Sequence, residues 1–332
     1  MRLDSARSLK LEIAHEVFAP IVEGLLGHAL APRIGPLNLI SPLLRIALGV
    51  GRGNGPGDFH LAVRLQSRSS ETQRFVDRVR ERVKDELHVD FIGRVTAFAD
   101  EPLAIADLRR SCRPLVLGCS IAHIAATAGT LGLIAKHRKT GRTVAVSCSH
   151  VLAQAGQAKL GDGITQPGRI DGGGDQIAAL LDFVPLKTSG SNQIDAAVAV
   201  LDDSIANAPG MVPGIGVFTL TNTEALAPGQ KVKKLGRTTG LTEGEITVTE
   251  LDDLVVDYDI GSVVFDDQIE IKGLPHTPFS QPGDSGSLVI DEAMTAIGMV
   301  FSGNPFANDG AGVSYANPLP KVIAGLDIDK SP

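Results

Sequence analysis

Apolar positions near the start of the chain recur at spacings of three and four. Leu9, Ile13, Val17, Ile21 and Leu25 form such a series, and it predicts helix through residues 1–50. The pattern breaks at "GVGRGNGPGD", Gly49 to Asp58. A nucleotide loop would follow a strand and open a helix; this stretch precedes a strand, so it reads as a flexible linker. "FHLAVRLQ" then alternates like a strand. In "SETQRFVDRVRERVKDEL", Phe75, Val79, Val83 and Leu87 make one apolar stripe, with Ser70 and Gln73 as a capping box. "VDFIGRVTAF" reads as a second strand, which completes a strand–helix–strand unit with a solvated charged face.

From about residue 111 the pattern changes to short alternating runs between turn signals. "RTVAVSCS", "IDAAVAVL", "GEITVTEL", "VVFDDQIEIK" and "TAIGMVFSG" are examples. Strand runs without long intervening helices predict an antiparallel barrel or sandwich. Three parts follow: a helical segment with its linker (1–58), a small α/β unit (59–110) and a β domain (111–332).

Composition narrows the function classes. The chain has 332 residues, 43% of them apolar and 21% charged, with 37 Gly and 19 Pro, which fits a turn-rich packed protein. Net charge is −7, and the acidic excess lies after residue 111, which argues against a nucleic-acid partner. Cys112, Cys119 and Cys148 give no disulfide framework. The stretch from Ala19 to Val50 is interrupted by Glu23, His28, Arg33, Arg45 and several prolines, so no membrane span is expected. No secretory leader pattern opens the chain, and the expected location is cytoplasmic. The apolar N-terminal helices are expected to pack on the β domain or on a second copy in a homo-oligomer.

The candidate chemistry centres on "QPGDSGSLVI". Ser285 stands between glycines with Asp284 before it and an apolar strand after it. A serine hydroxyl needs a base, a group that orients the base, and donors for the oxyanion. His150 follows the β-patterned "VAVSCS", at a strand end where a scaffold can display a base. His15, His28, His60, His88, His123, His137 and His276 are assigned structural places. Asp195 heads the strand "IDAAVAVL", half-buried and able to accept from an imidazole; Asp182, Asp202 and Asp203 are weaker candidates.

His150, Asp195 and Ser285, in that order and with "GDSGS" around the serine, resemble the chymotrypsin-like (trypsin-fold) serine peptidases over residues 115–325. The boxes "SCSHVLA", "IDAAVAVL" and "GDSGSLVI" carry the likeness; "KLGRTTGLTEGEI" and "GDGITQPGRIDGGG" resemble an intracellular bacterial subgroup with plant relatives. The resemblance implies a mainly β, double antiparallel β-barrel behind a smaller helical and α/β N-terminal region. It implies a catalytic row of His150, Asp195 and Ser285, an oxyanion hole from the Gly283 and Ser285 N–H groups, and a protein or peptide substrate. Phe301, Ser302 and Gly303 would pair with substrate backbone, and Phe279, six residues before Ser285, would give an apolar or small pocket unless Asp309 reaches it. No cofactor and no metal are implied.

Departures and open points remain in the residues. Ser147, Cys148 and Ser149 replace the usual small residues before the histidine, and Ser287 replaces a glycine. Asp284 needs either an internal cation or amide, or a site assembled on demand. Asp162, Asp171 and Asp175 lie among glycines without calcium-loop spacing and read as an ordinary acidic loop. Two other readings stay open: a catalytically silent binding module, and a protein that processes only itself or a partner.

Overall fold

The computed structural model describes residues 1–18, 20–21, 45–53, 55, 57–83, 86–93, 95–97, 108–220, 226–307 and 310–329. Leu25, most of the stretch from Ala19 to Val50, and Asp309 lie outside them. The architecture is mainly β, a double antiparallel barrel behind an N-terminal helix and α/β unit, as the sequence leads one to expect.

The first barrel is built from short strands rich in Ala and Val. Ser120–His123 pairs with Gly163–Gln166, which pairs with Asp175–Phe183, then Ala197–Leu201, Thr143–Ser147 and Leu133–Lys136. The run from Gly129 to Lys136 closes the ring. Its first part pairs with Ser120–His123 and its second with Thr143–Ser147. The second barrel is a ring of six antiparallel pairings through Lys231–Gly236, Gly240–Asp252, Gln268–Gly273, Val313–Pro318, Ala296–Asn304 and Leu288–Asp291. A hairpin, Leu254–Tyr258 with Gly261–Phe265, follows the longest of these strands.

That longest strand, Gly240–Asp252, has 13 residues and outruns the barrel. Its surplus pairs with Ile46–Arg52 through Leu48↔Asp252 and Val50↔Thr249. Ile46–Arg52 pairs in turn with Phe59–Leu65, and Phe59–Leu65 runs parallel to Leu87–Phe91 with helix Ser70–Val83 crossing between them. The α/β unit therefore extends the second barrel's sheet. Helix Leu3–Ile13 and the turn Ala14–Phe18 cover it, with Ile13, Val17 and Phe18 buried against Phe75 and Val79. Arg7 pairs with Glu250 and Lys10 with Asp252, which ties the helix to the long strand.

Three local expectations change. Residues 46–52, read as helix end and linker, form a strand. Crowding favours glycine there: a Cβ on Gly49 would lie 2.2 Å from Cγ1 of the fully buried Val248, and one on Gly51, 2.3 Å from His60 Nε2, would push that ring aside. The capping box sits one residue earlier than expected: Ser69 N–H donates to Thr72 Oγ1 and Thr72 N–H to Ser69 Oγ. "VDFIGRVTAF" splits at Gly93, where φ is +69°, into Leu87–Phe91 and Thr96–Ala97. Among the described residues, no helix is long and apolar enough to cross a membrane.

Candidate active site

The register of the first barrel brings His150 and Asp195 together. Ala197 pairs with Ser147 in antiparallel strands. The residues just before one strand therefore face those just after the other. His150 lies in the single turn Ser149–Leu152 that follows Ser147, and Asp195 precedes Ala197. His150 Nδ1 is 2.5 Å from Asp195 Oδ2, and the His150 backbone N–H donates to Asp195 Oδ1 at 3.2 Å. The Asp195 side chain is fully buried. A carboxylate in that setting must be saturated with donors. Tyr258 Oη supplies one to Oδ2 at 2.8 Å, and the Asp195 N–H is itself fixed on Asn317 Oδ1 at 2.9 Å. Burial, then the nearby Asp195 charge, pushes the Tyr258 phenol well above its ordinary range, so it remains a donor.

Ser285 comes from the second barrel, on a turn that only glycine can make. Gly283 has φ +95° and Gly286 φ +99°. A Cβ on Gly286 would lie 2.1 Å from Thr130 O. The turn is stitched across the barrel interface: Thr130 N–H donates to Ser285 O at 2.8 Å, and Thr130 Oγ1 to Gly283 O at 2.9 Å. Thr238 Oγ1 donates to Pro282 O at 2.7 Å. Because a trans peptide sets C=O and N–H on opposite sides, this bond aims the Gly283 N–H away from Thr238. Thus both glycines of the motif have a steric reason.

The three side chains do not form one unbroken row. Ser285 Oγ donates to Phe301 O at 3.2 Å, while His150 Nε2 is buried and has no partner. The imidazole is oriented on one nitrogen and unfilled on the other.

Asp284 points inward and is fully buried. Its carboxylate lies 3.1 Å from Lys234 Nζ and accepts from Thr239 Oγ1 at 2.7 Å and from the N–H groups of Thr238, Thr239 and Gln281. The internal cation and the amides that the sequence left open for Asp284 are both present. Tyr258, Lys234, Thr238 and Asn317 were not singled out by sequence reasoning. "KLGRTTG" held two of them and was legible only as a family likeness.

The expected substrate contacts divide. Phe279 is fully buried among Val232, Ile246, Ile271 and Val300 in the second barrel's core, so its ring is a packing residue rather than the wall of an open pocket. Phe301 is also buried, with its ring 4.8 Å from that of Phe265. The backbone of Ser302 and Gly303 lies at the strand edge, paired with Ala97 and Thr96.

Cys148, His150 and Asp195 offer ligand atoms within 4.8 Å of one another. Burial, then the Asp195 charge, pushes the Cys148 thiol well above its ordinary range, and Sγ donates to Val300 O at 3.3 Å. A protonated thiol and a fully engaged carboxylate suit support of the imidazole better than metal ligation. In the acidic loop the carboxylates are spent separately, Asp162 on His123 and Asp171 on Arg237.

No family model matches this chain, and no curated protein matches it. Solved structures do match. Thermobifida fusca Protease A is 16% identical with a TM-score of 0.46, covering 64% of this chain and 96% of its own. A chymotrypsin of Cellulomonas bogoriensis is 17% identical with a TM-score of 0.45, covering 65% and 97%. A Nocardiopsis protease is 17% identical with a TM-score of 0.46, covering 65% and 98%. Likeness this distant says nothing of activity, and the double barrel stands on its own strand pairings.

Proposed function

We propose that this chain is an intracellular serine endopeptidase of the trypsin-like kind, akin to the bacterial subgroup with plant relatives and regulated by its N-terminal region. One observation carries the reading. A histidine held at Nδ1 by a buried aspartate, with Nε2 unfilled, stands at the junction of two barrels, and the glycine turn of Ser285 enters that junction from the other side.

In this mechanism Ser285 Oγ attacks a peptide carbonyl carbon and His150 Nε2 takes the hydroxyl proton. Asp195 keeps the remaining imidazole proton on Nδ1 and stabilises the imidazolium. The Gly283 and Ser285 N–H groups receive the developing oxyanion; losing one such donor typically costs about 3–4 kcal/mol of transition-state stabilisation. The tetrahedral species collapses as His150 returns the proton to the leaving amine, and water then hydrolyses the acyl-enzyme by the same route.

The test is covalent labelling with a small fluorophosphonate, followed by peptide mapping. The expected result is one adduct on Ser285 and none in Ser285→Ala, with unfolding temperatures that agree. An adduct on the alanine variant, or none on the unaltered chain, overturns the proposal. The Ser285–Phe301 bond favours a second reading, a catalytically silent binding module. The same labelling separates the two.

A further inference from the structure

An extended peptide substrate must pair its backbone with an open strand edge beside the nucleophile. In the proposed peptidase that edge is Phe301–Gly303, and it is already taken. Ser302 pairs with Ala97 and Gly303 with Thr96, antiparallel. On its other side Thr96 pairs with Asp257 in parallel, and Asp257 N–H donates to Val95 O at 3.2 Å. Thr96 and Ala97 thus fill a slot between two functional strands. One carries Phe301, whose carbonyl holds Ser285 Oγ; the other carries Tyr258, which holds Asp195.

The polarity of this pairing matters. Residue numbers rise from Thr96 to Ala97 as they fall from Gly303 to Ser302. The inserted strand therefore runs toward Phe301 and the nucleophile in its N-to-C direction. A substrate's acyl side, which precedes its scissile bond, must approach Ser285 with that same polarity. The strand is also well anchored. Val95 is fully buried and Ile92 is 2% exposed, both in the main core, and Ile92 O accepts from Asn304 Nδ2 at 2.9 Å.

We infer that Thr96–Ala97 is a built-in occupant of the acyl-side substrate strand, and that the N-terminal region silences the enzyme by competing for its backbone pairing. This rests on the serine-peptidase reading above. The competition is through main-chain groups, so it excludes peptide substrates of any side-chain sequence. A probe too small to need the strand edge is not excluded.

That difference supplies the experiment, on the full chain. Thr96→Pro/Ala97→Pro removes both N–H donors of the inserted pair. Two rates are measured: inactivation by a tetrapeptide chloromethyl ketone, which alkylates His150 Nε2 with loss of chloride, and labelling of Ser285 by a small fluorophosphonate. The expected result is an increase of about tenfold in the peptide rate, as the competent fraction grows, with the small-probe rate unchanged. An unchanged or lower peptide rate with normal small-probe labelling overturns the inference and leaves the peptidase reading standing. No small-probe labelling of the unaltered chain sinks the peptidase reading, and the inference with it. Val95→Ala loosens the anchor without touching the pair. It carries the same expectation at smaller size and decides the matter where the proline variant unfolds.

Discussion

Lys234 Nζ lies 3.1 Å from Asp284 Oδ2, and both side chains are completely buried. Asp284 immediately precedes Ser285, so the ion pair fixes the turn that presents the hydroxyl. Lys234→Met would leave a buried carboxylate without its cation, which costs on the order of 3–5 kcal/mol. Replacing Asp284 as well would not restore the loss, because the N–H groups of Thr238, Thr239 and Gln281 would then lack their acceptor. Denaturant unfolding of the single and double variants checks this. A double variant as stable as the unaltered chain would contradict it.

Gly283 answers a different constraint in the same turn. Its φ is +95°, and an added Cβ would lie 2.3 Å from Arg237 Nη1 and 2.4 Å from Thr238 Oγ1. Gly283→Ala is expected to lose about 1–2 kcal/mol from the backbone conformation alone, with the clash added. Displacing the N–H should lower kcat/KM by roughly a hundredfold or more. Gly141→Ala is the control: its φ is +65°, with nothing within 4 Å of the added carbon. It should lose stability and keep its turnover.

Much of this site was legible where chemistry and strand period coincide. His150 and Asp195 sit at the ends of alternating strands, so period-two patterning located both and antiparallel pairing joined them. The glycines around Ser285 were legible as a turn because few other residues take positive φ. Lys234 was not legible. Period two puts it on the Val232 face of "KVKKLG", opposite Lys231 and Lys233, but nothing in that run says which carboxylate it meets. The strand Ile46–Arg52 was hidden for the opposite reason. Its glycines imitate a linker, and only the crowding from Val248 and His60 explains them. Thr96–Ala97 is a two-residue strand whose partners lie in the Leu254–Tyr258 and Ala296–Asn304 strands, beyond the reach of any local pattern.

Tyr258 donates to the same Asp195 oxygen that faces the imidazole. Tyr258→Phe keeps the ring, which lies 5.8 Å from His150, and removes only the donor. A lost hydrogen bond to a buried charge costs about 1.5–3 kcal/mol. The expected outcome is a stability loss of that order and a fall in kcat of about tenfold with KM little changed, since the phenol is spent on Asp195. A large rise in KM with unchanged kcat would assign Tyr258 to substrate binding instead.

His60 should make stability depend on pH far from Ser285. Its ring is 5.1 Å from that of His88, in a cleft of about 870 Å³ lined also by Arg52, Asp58, Arg64, Glu86, Asp90, Glu245, Glu270 and Lys272. Burial first, then the His88 and Arg64 charges, lowers its pKa from the ordinary 6.5 to about 4, against smaller opposing contributions from Asp58 and Asp90. The unfolded chain therefore takes up a proton near pH 6.5, while the folded chain resists until about 4. Stability is unaffected by this group above 6.5 and falls as pH drops through that window, levelling out below about 4. The ring packs over the bare face of Gly51, so His60→Gln retains much of the volume while removing the titration. Urea unfolding across the window should give a flatter acid slope for the variant. Identical slopes would mean that the carboxylates of the cleft, not this imidazole, set the acid response.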